Sequence, residues 1–183
     1  MSGHHLILGE LKDIISGETI DDTLDERLRQ KIARLLITVK GYPKKDIEPR
    51  RKLQVQADRK KAVIKIDFVI RIDGKASLLI KYGPGSLVTR RRPALAVSRL
   101  IESYQIPFVV VTNGEDAEII RGATGDVIGH GIESIPHRSA LADLISIENA
   151  DSIPPKRAEM ESRIVYCYEV DGACPCDETV CRL

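Results

Sequence analysis

The chain has 183 residues, 43% hydrophobic and 30% charged, the size and make-up of one ordinary globular domain with a tail. A chain of this length buries a core without disulfide or metal staples. No apolar run approaches the roughly 20 residues that cross a bilayer, and no basic stretch leads into an apolar leader, so the expectation is a cytoplasmic protein outside the membrane.

There is no Trp, and aromatics make up 4%. Ile, Val and Leu must therefore build the core, which favours a sheet with helices packed on it. The net charge of +1 hides an asymmetry. Residues 40–92 hold sixteen Lys/Arg against five Asp/Glu, whereas residues 10–26 hold seven acids and one Lys. A concentrated basic segment suits a polyanion surface; the alternative is a set of solvated strands and loops.

In chain order, residues 20–39 predict a helix. Asp21, Asp22, Thr23 and Asp25 supply capping and first-turn acids. Leu24, Leu28, Ile32, Leu35, Leu36 and Val39 recur at the spacing of one buried face. Gly41 ends it and Pro43 prevents its resumption. Residues 46–49 read as a turn. Residues 53–57 alternate as a half-wet strand, and residues 63–72 form a more buried one. Asp73-Gly74 is a hairpin signal, and residues 77–82 make the returning strand. Residues 93–105 predict a second helix, 107–112 a strand buried on both faces, and 117–120 with 126–128 a final hairpin.

The crossover from 77–82 through a helix to 108–112 is a βαβ unit, so those two strands should run parallel. The fold class expected is α/β (α+β), a mixed sheet flanked by helices, over residues 1–135. Residues 136–183 read as a helical extension and cysteine-rich tail: a short helix at 139–147, a linker with two prolines at 149–155, and a helix at 156–168.

Several segments carry a resemblance. They are Leu24-Asp25-Glu26-Arg27-Leu28-Arg29-Gln30 with Gly41-Tyr42-Pro43, then Lys65-Ile66-Asp67-Phe68-Val69-Ile70 with Asp73-Gly74-Lys75, and Pro107-Phe108-Val109-Val110-Val111-Thr112-Asn113-Gly114. Their order over residues 20–130 resembles the N-terminal domain of the type I restriction enzyme R subunit, a branch of the PD-(D/E)XK nuclease fold. The resemblance implies metal-assisted phosphodiester hydrolysis, in which an Asp and a second acid hold divalent metal and a Lys two positions on helps activate water. No Gly-x4-Gly-Lys phosphate loop is present, so no DNA-translocating motor is expected here.

Carried over residue by residue, Asp67 matches the motif Asp, Lys81 the motif Lys, and Glu26 an acid of the first helix that faces the metal in that family. The second acid falls on Leu79, and a supporting Gln-then-Tyr pattern falls on Ala96 and Leu100. Leu offers no oxygen to a hard cation such as magnesium. Rescue would fall to Glu26, or less directly to Glu102. Beside this stands a structural reading: Asp67 in an apolar strand needs a partner, Lys81 supplies it, and Glu26 favours the first turn of its helix.

Arg90-Arg91-Arg92, ahead of the second helix, is a candidate phosphate contact, and Arg50-Arg51-Lys52 and Arg59-Lys60-Lys61, the latter in a turn, are similar clusters. Each cluster taken alone is more often a solvated surface; together they fit a protein that binds DNA. Cys167, Cys174, Cys176 and Cys181 fall within fifteen residues. In a cytosolic protein such thiols favour metal over disulfides; four thiolates hold zinc or an iron–sulfur cluster, and disulfides or free thiols are the alternative. The expected function is a restriction-endonuclease-like domain that binds DNA with a degenerate site. The alternatives are a working magnesium-dependent endonuclease with a relocated acid, or a structural protein with a cysteine-bound metal and a protein partner.

Overall fold

The computed structural model describes residues 6–146, 151–173 and 180–183. It opens with a small hairpin, β1 (Glu10–Lys12) and β2 (Thr19–Asp21). Helix α1 follows as Leu24–Thr38, capped by the Thr23 hydroxyl, which accepts from the Glu26 amide at 3.1 Å. The helix therefore starts four residues later than its apolar period suggested, because Ile20 belongs to β2. Gly41 leaves the helix end at φ +75°, a conformation natural to glycine.

The main sheet is built next, from β3 (Ile47–Ala57), β4 (Lys60–Ile72) and β5 (Lys75–Tyr82). The stretch 46–49, expected as a turn, is mostly strand. Pro49 is tolerated there because β3 lies at the sheet edge, where a missing amide leaves no ladder bond unmade. Asp73 and Gly74 join β4 to β5 with φ of 49° and 81°, the double positive φ of a tight hairpin turn.

Helix α2 spans Val88–Ser98, not 93–105. Pro93 is not the first helical residue. It lies near the end of the second turn, where its missing amide removes one helical bond. The amides of Arg99 and Leu100 then bond back to Ala96 and Val97, tightening and ending the helix. The chain returns through β6 (Phe108–Thr112), β7 (Ala117–Arg121) and β8 (Val127–His130), then α3 (Arg138–Ser146), α4 (Pro155–Val165), a π-helical turn at Tyr166–Asp171, and β9 (Val180–Arg182).

Among the described residues the sheet has seven strands in the order β3-β4-β5-β6-β7-β8, with β9 added on β4. Only β5 and β6 run parallel, bridged by α2 as a βαβ crossover; the other pairs are antiparallel. This is the mixed sheet with flanking helices that the sequence predicts. One core gathers α1 with Phe68, Ile70, Leu78 and Ile80. The other gathers α2 and the end of α4 with Ile64, Ile66, Val69 and Leu79. No described helix is long and apolar enough to cross a membrane.

A detail of β4 positions everything that follows. Ile64 and Ile66 bury into the α2/α4 core, yet Phe68 and Ile70, of the same parity, bury into the α1 core. Side chains alternate strictly along a regular strand, so β4 rotates at Asp67. The partner strand matches: Pro49 pairs Phe68 and Arg51 pairs Ile66, which leaves Arg50 opposite Asp67, at a left-handed φ of 52°. The other edge of β4 changes partner at the same place, with β9 on 62–64 and β5 from Phe68 onward.

The turn between β7 and β8 is packed backbone to backbone. The Gly122 amide donates to the Pro107 carbonyl, and a Cβ at Gly122 would collide with the Ile106 carbonyl oxygen and lie 2.9 Å from that of Pro107. Neither backbone oxygen can rotate away. Gly122→Ala is expected to destabilise the fold by about 1–3 kcal/mol, read from chemical denaturation; an unchanged midpoint would show that this turn is not held as described.

Candidate functional site

Asp67 is buried at the fork in β4. A buried carboxylate must be compensated, and three groups do so. Arg29, one turn into α1, donates from Nε to Oδ1 at 2.7 Å. The Tyr82 amide, at the end of β5, donates to Oδ2 at 2.9 Å. Lys81 Nζ lies 3.9 Å from Oδ2. The Arg29 guanidinium also stands 5.2 Å from the centre of the Tyr82 ring, a cation–π distance, and the Tyr82 hydroxyl donates to Asp25 at 2.9 Å.

Lys81 has a second and closer partner. Its Nζ lies 3.1 Å from Glu169, in the π-helical turn after α4. Burial disfavours the ammonium, but Glu169 and Asp67 together outweigh it and hold Lys81 above its ordinary value. Burial opposes the charge of Arg29 as well, and Asp67, Glu26 and Asp25 outweigh it in the same way. An ion chain therefore runs Arg29–Asp67–Lys81–Glu169. It ties α1, on one face of the sheet, to the α4 extension on the other.

Glu26 sits beside this chain. Arg50 donates to it at 2.7 Å and Gln30 at 2.9 Å, and Arg29 approaches at 3.8 Å. Arg50 also donates to Asp13. The left-handed backbone of Arg50 thus serves a purpose: it rotates the strand and aims the guanidinium at two acids of the N-terminal segment. Backbone strain of this kind persists only where the surroundings over-determine it.

Leu79 is fully buried in the α2/α4 core, paired with Val69 and Val109 on its neighbouring strands. It contributes packing at the position where the resemblance leads to the expectation of an oxygen ligand. Glu102 lies beyond the end of α2 and is held by Arg71 at 2.8 Å and Arg51 at 3.4 Å, so it faces away from Asp67 toward the far end of β4. Ala96 is buried in the same core as Leu79, so the supporting polar pattern on the second helix is absent there too.

A family model of the type I restriction enzyme R protein N terminus matches residues 24–136. The chain belongs to that family. No curated protein and no solved structure gives a match. The matched segment contains Glu26, Asp67 and Lys81; Glu169 and the elements from α3 onward lie outside it.

A divalent metal at Asp67 is the expectation drawn from the resemblance, and the surroundings of that carboxylate oppose a further cation. Both carboxylate oxygens of Asp67 already accept hydrogen bonds, and two cations flank it. Among the described residues no group of three or more His, Cys, Asp or Glu could hold a metal. Cys167 and Cys181 are exposed and free. The expected four-thiolate centre also needs Cys174 and Cys176, which lie outside the described residues.

The basic clusters divide. Arg90–Arg92 do not form a loop ahead of the helix, as expected, but lie inside α2. Arg91 makes a two-pronged contact with Glu118, Arg92 pairs with Glu161 at 2.6 Å, and Arg90 packs over Gly83 and bonds the Pro84 carbonyl at 3.3 Å. Arg59, Lys60 and Lys61 are exposed at the β3–β4 turn. Glu169, Arg29 and Asp13 were not picked out by the sequence, and Arg50 was read only as one of a basic cluster, not as the partner of Asp13 and Glu26. Arg29 alone carried a signal, three residues after Glu26 on the same helix face.

Two outcomes follow. Arg29→Met removes the donor and charge at Asp67 but keeps the stem, and should destabilise by about 1–3 kcal/mol. Asp67→Asn in that background should cost less than alone, with a coupling of at least about 1 kcal/mol in a double-mutant cycle; additive effects would show that the pair is not a unit. Burial acts first to raise the Asp13 carboxyl, but its bonds from Arg50 and the Ile15 and Ser16 amides hold it below its ordinary value. Its contribution is present above the unfolded value of about 3.9 and is lost as pH falls through the lower folded value. Asp13→Asn should flatten the fall of melting temperature below about pH 4; a parallel curve would contradict this.

Proposed function

We propose that this chain is a restriction-endonuclease-like module that binds DNA and does not cleave it. The observation that carries the non-cleaving part is the state of Asp67. A metal-dependent nuclease needs carboxylates placed to take a hard cation, and here the Arg29 guanidinium and the Lys81 ammonium already stand against Asp67 and would repel a further cation. Leu79 removes the second ligand. The two carboxylates that could have replaced it, Glu26 and Glu102, are each held by two arginines.

The DNA-binding part rests on the β3–β4 turn. Arg59, Lys60 and Lys61 are adjacent, exposed, and have no ion-pair partner among the described residues. Lys52, exposed on β3, adds to the same edge. Adjacent solvated cations of this kind attract phosphate by releasing counterions and need no base contact.

The test uses plasmid, linear duplex and single-stranded DNA with magnesium or manganese. No cleavage is expected, together with duplex retention that weakens as salt rises. Replacing Arg59, Lys60 and Lys61 by Gln should lower the salt slope by about 2–3, since each phosphate left without its cation accounts for roughly 0.9. Cleavage that vanishes in Asp67→Ala would sink the non-cleaving reading. Retention indifferent to the triple change, or absent altogether, would sink the DNA reading and leave a protein partner.

A further inference from the structure

Glu161 is almost fully buried between α2 and α4, and it is outnumbered. Arg99 Nη1 lies 2.7 Å from Oε1, Arg92 Nη1 2.6 Å from Oε2, and Arg157 Nε 3.5 Å from Oε1. One carboxylate thus serves three guanidiniums. Arg99 is buried behind them, and its Nε has no hydrogen-bond partner among the described residues. Burial drives Arg99 below its ordinary value, and the nearby Arg157 and Arg92 reinforce the effect against the pull of Glu161.

In front of this cluster opens a cleft of about 470 Å³, lined by Arg92, Pro154, Lys156, Arg157, Met160 and Glu161. That volume falls in the range of small-ligand sites, roughly 300–1,000 Å³. Its lining has two characters. Arg92 and Arg157 share Glu161 as counter-charge with Arg99, and Lys156 has no ion-pair partner among the described residues. Pro154 and Met160 are apolar, and Met160 is left 58% exposed, unusual for a side chain that normally packs. An anion would satisfy the first group, and a flat apolar surface the second. The cleft is independent of the ion chain at Asp67, and only Arg92 of its lining lies in the segment matched by the family model.

We propose that this cleft binds a nucleoside monophosphate unit, the phosphate on Arg92, Arg157 and Lys156 and the base against Pro154 and Met160. Arginine forks match phosphate oxygens in geometry, and thioether and ring surfaces suit the face of a base. The unit comes either as a free mononucleotide or as the 5′-phosphorylated end of a DNA strand.

Titration calorimetry on the full chain separates these, with dAMP, a short 5′-phosphorylated oligonucleotide, its unphosphorylated twin and inorganic phosphate as probes. Lys156 and Arg157 are exposed, so the Lys156→Gln/Arg157→Gln variant should keep its melting temperature while losing at least about tenfold in affinity. Met160→Ser should weaken dAMP and leave inorganic phosphate unchanged. Binding of dAMP identifies a free nucleotide; binding of the phosphorylated oligonucleotide alone identifies a strand end. Either supports the site if the double variant loses it. The proposal falls if neither binds at millimolar concentration, if the double variant binds as well as the parent, if inorganic phosphate binds as tightly as dAMP, or if the 5′-phosphate makes no difference.

Discussion

A single carboxylate in the wrong solvent organises this molecule. Asp67 is buried where β4 changes the face it buries and the strand it pairs with. Left alone there, its charge would cost several kcal/mol. The fold answers from three directions, with a guanidinium from α1, a backbone amide from the end of β5, and an ammonium next to that amide. Each answer fixes an element. Arg29 sets how α1 lies on the sheet. The Tyr82 amide ends β5 against a side chain and not a strand, which is why the edge of β4 is open at that point. Lys81, drawn into the interior, carries the same problem to the next residue.

Glu169 resolves it. An ammonium buried with Asp67 at 3.9 Å would be poorly paired; Glu169 at 3.1 Å supplies the nearer charge. The extension beyond the family-matched segment is thereby tied to the motif residues and does not merely lie against them. Val165, Tyr166 and Val170 fill the core beneath, and β9 pairs β4 next to the fork. Buried ion pairs of this kind contribute little net stability against an apolar alternative, but removing one member is costly. Their effect is to specify one arrangement of α1, β5 and the α4 turn, since any other leaves a buried charge without its partner.

The strands were legible because their signals are local. Alternation, the continuous apolar run at 108–112 and the Asp73-Gly74 turn each act within a few residues, and the parallel crossover follows from the element order. Helix α2 was shifted because Pro93 satisfies a rule for helix starts while sitting near the end of the second turn. Asp67 and Lys81 were legible as a pair through the family pattern. Glu169 was not, because nothing local in a sequence marks a contact 88 residues away. The charge asymmetry was half read: part of the basic excess of residues 40–92 meets the acids of residues 10–26 inside the fold, with Arg50 on Asp13 and Glu26, and further arginines are absorbed by Glu118 and Glu161. Cations counted along a chain overstate the field it presents.

Leu79 and the ion chain are two aspects of one state. With a second carboxylate at that position, Asp67 and its neighbour would repel, and a divalent cation would be the natural neutraliser. With Leu79 in the core, Asp67 is a lone charge. One guanidinium and one ammonium, the latter passed on to Glu169, then suffice to close the balance without any ion. An acid placed at position 79 alone would therefore not make a metal site: it would bury a carboxylate against Val69 and Val109, with Arg29 still bound to Asp67. A cation at Asp67 would require Arg29 to release it as well, and Arg29 is held in turn by Glu26 and the Tyr82 ring. The leucine at one strand position goes together with contacts distributed over α1, β3, β5 and the α4 turn.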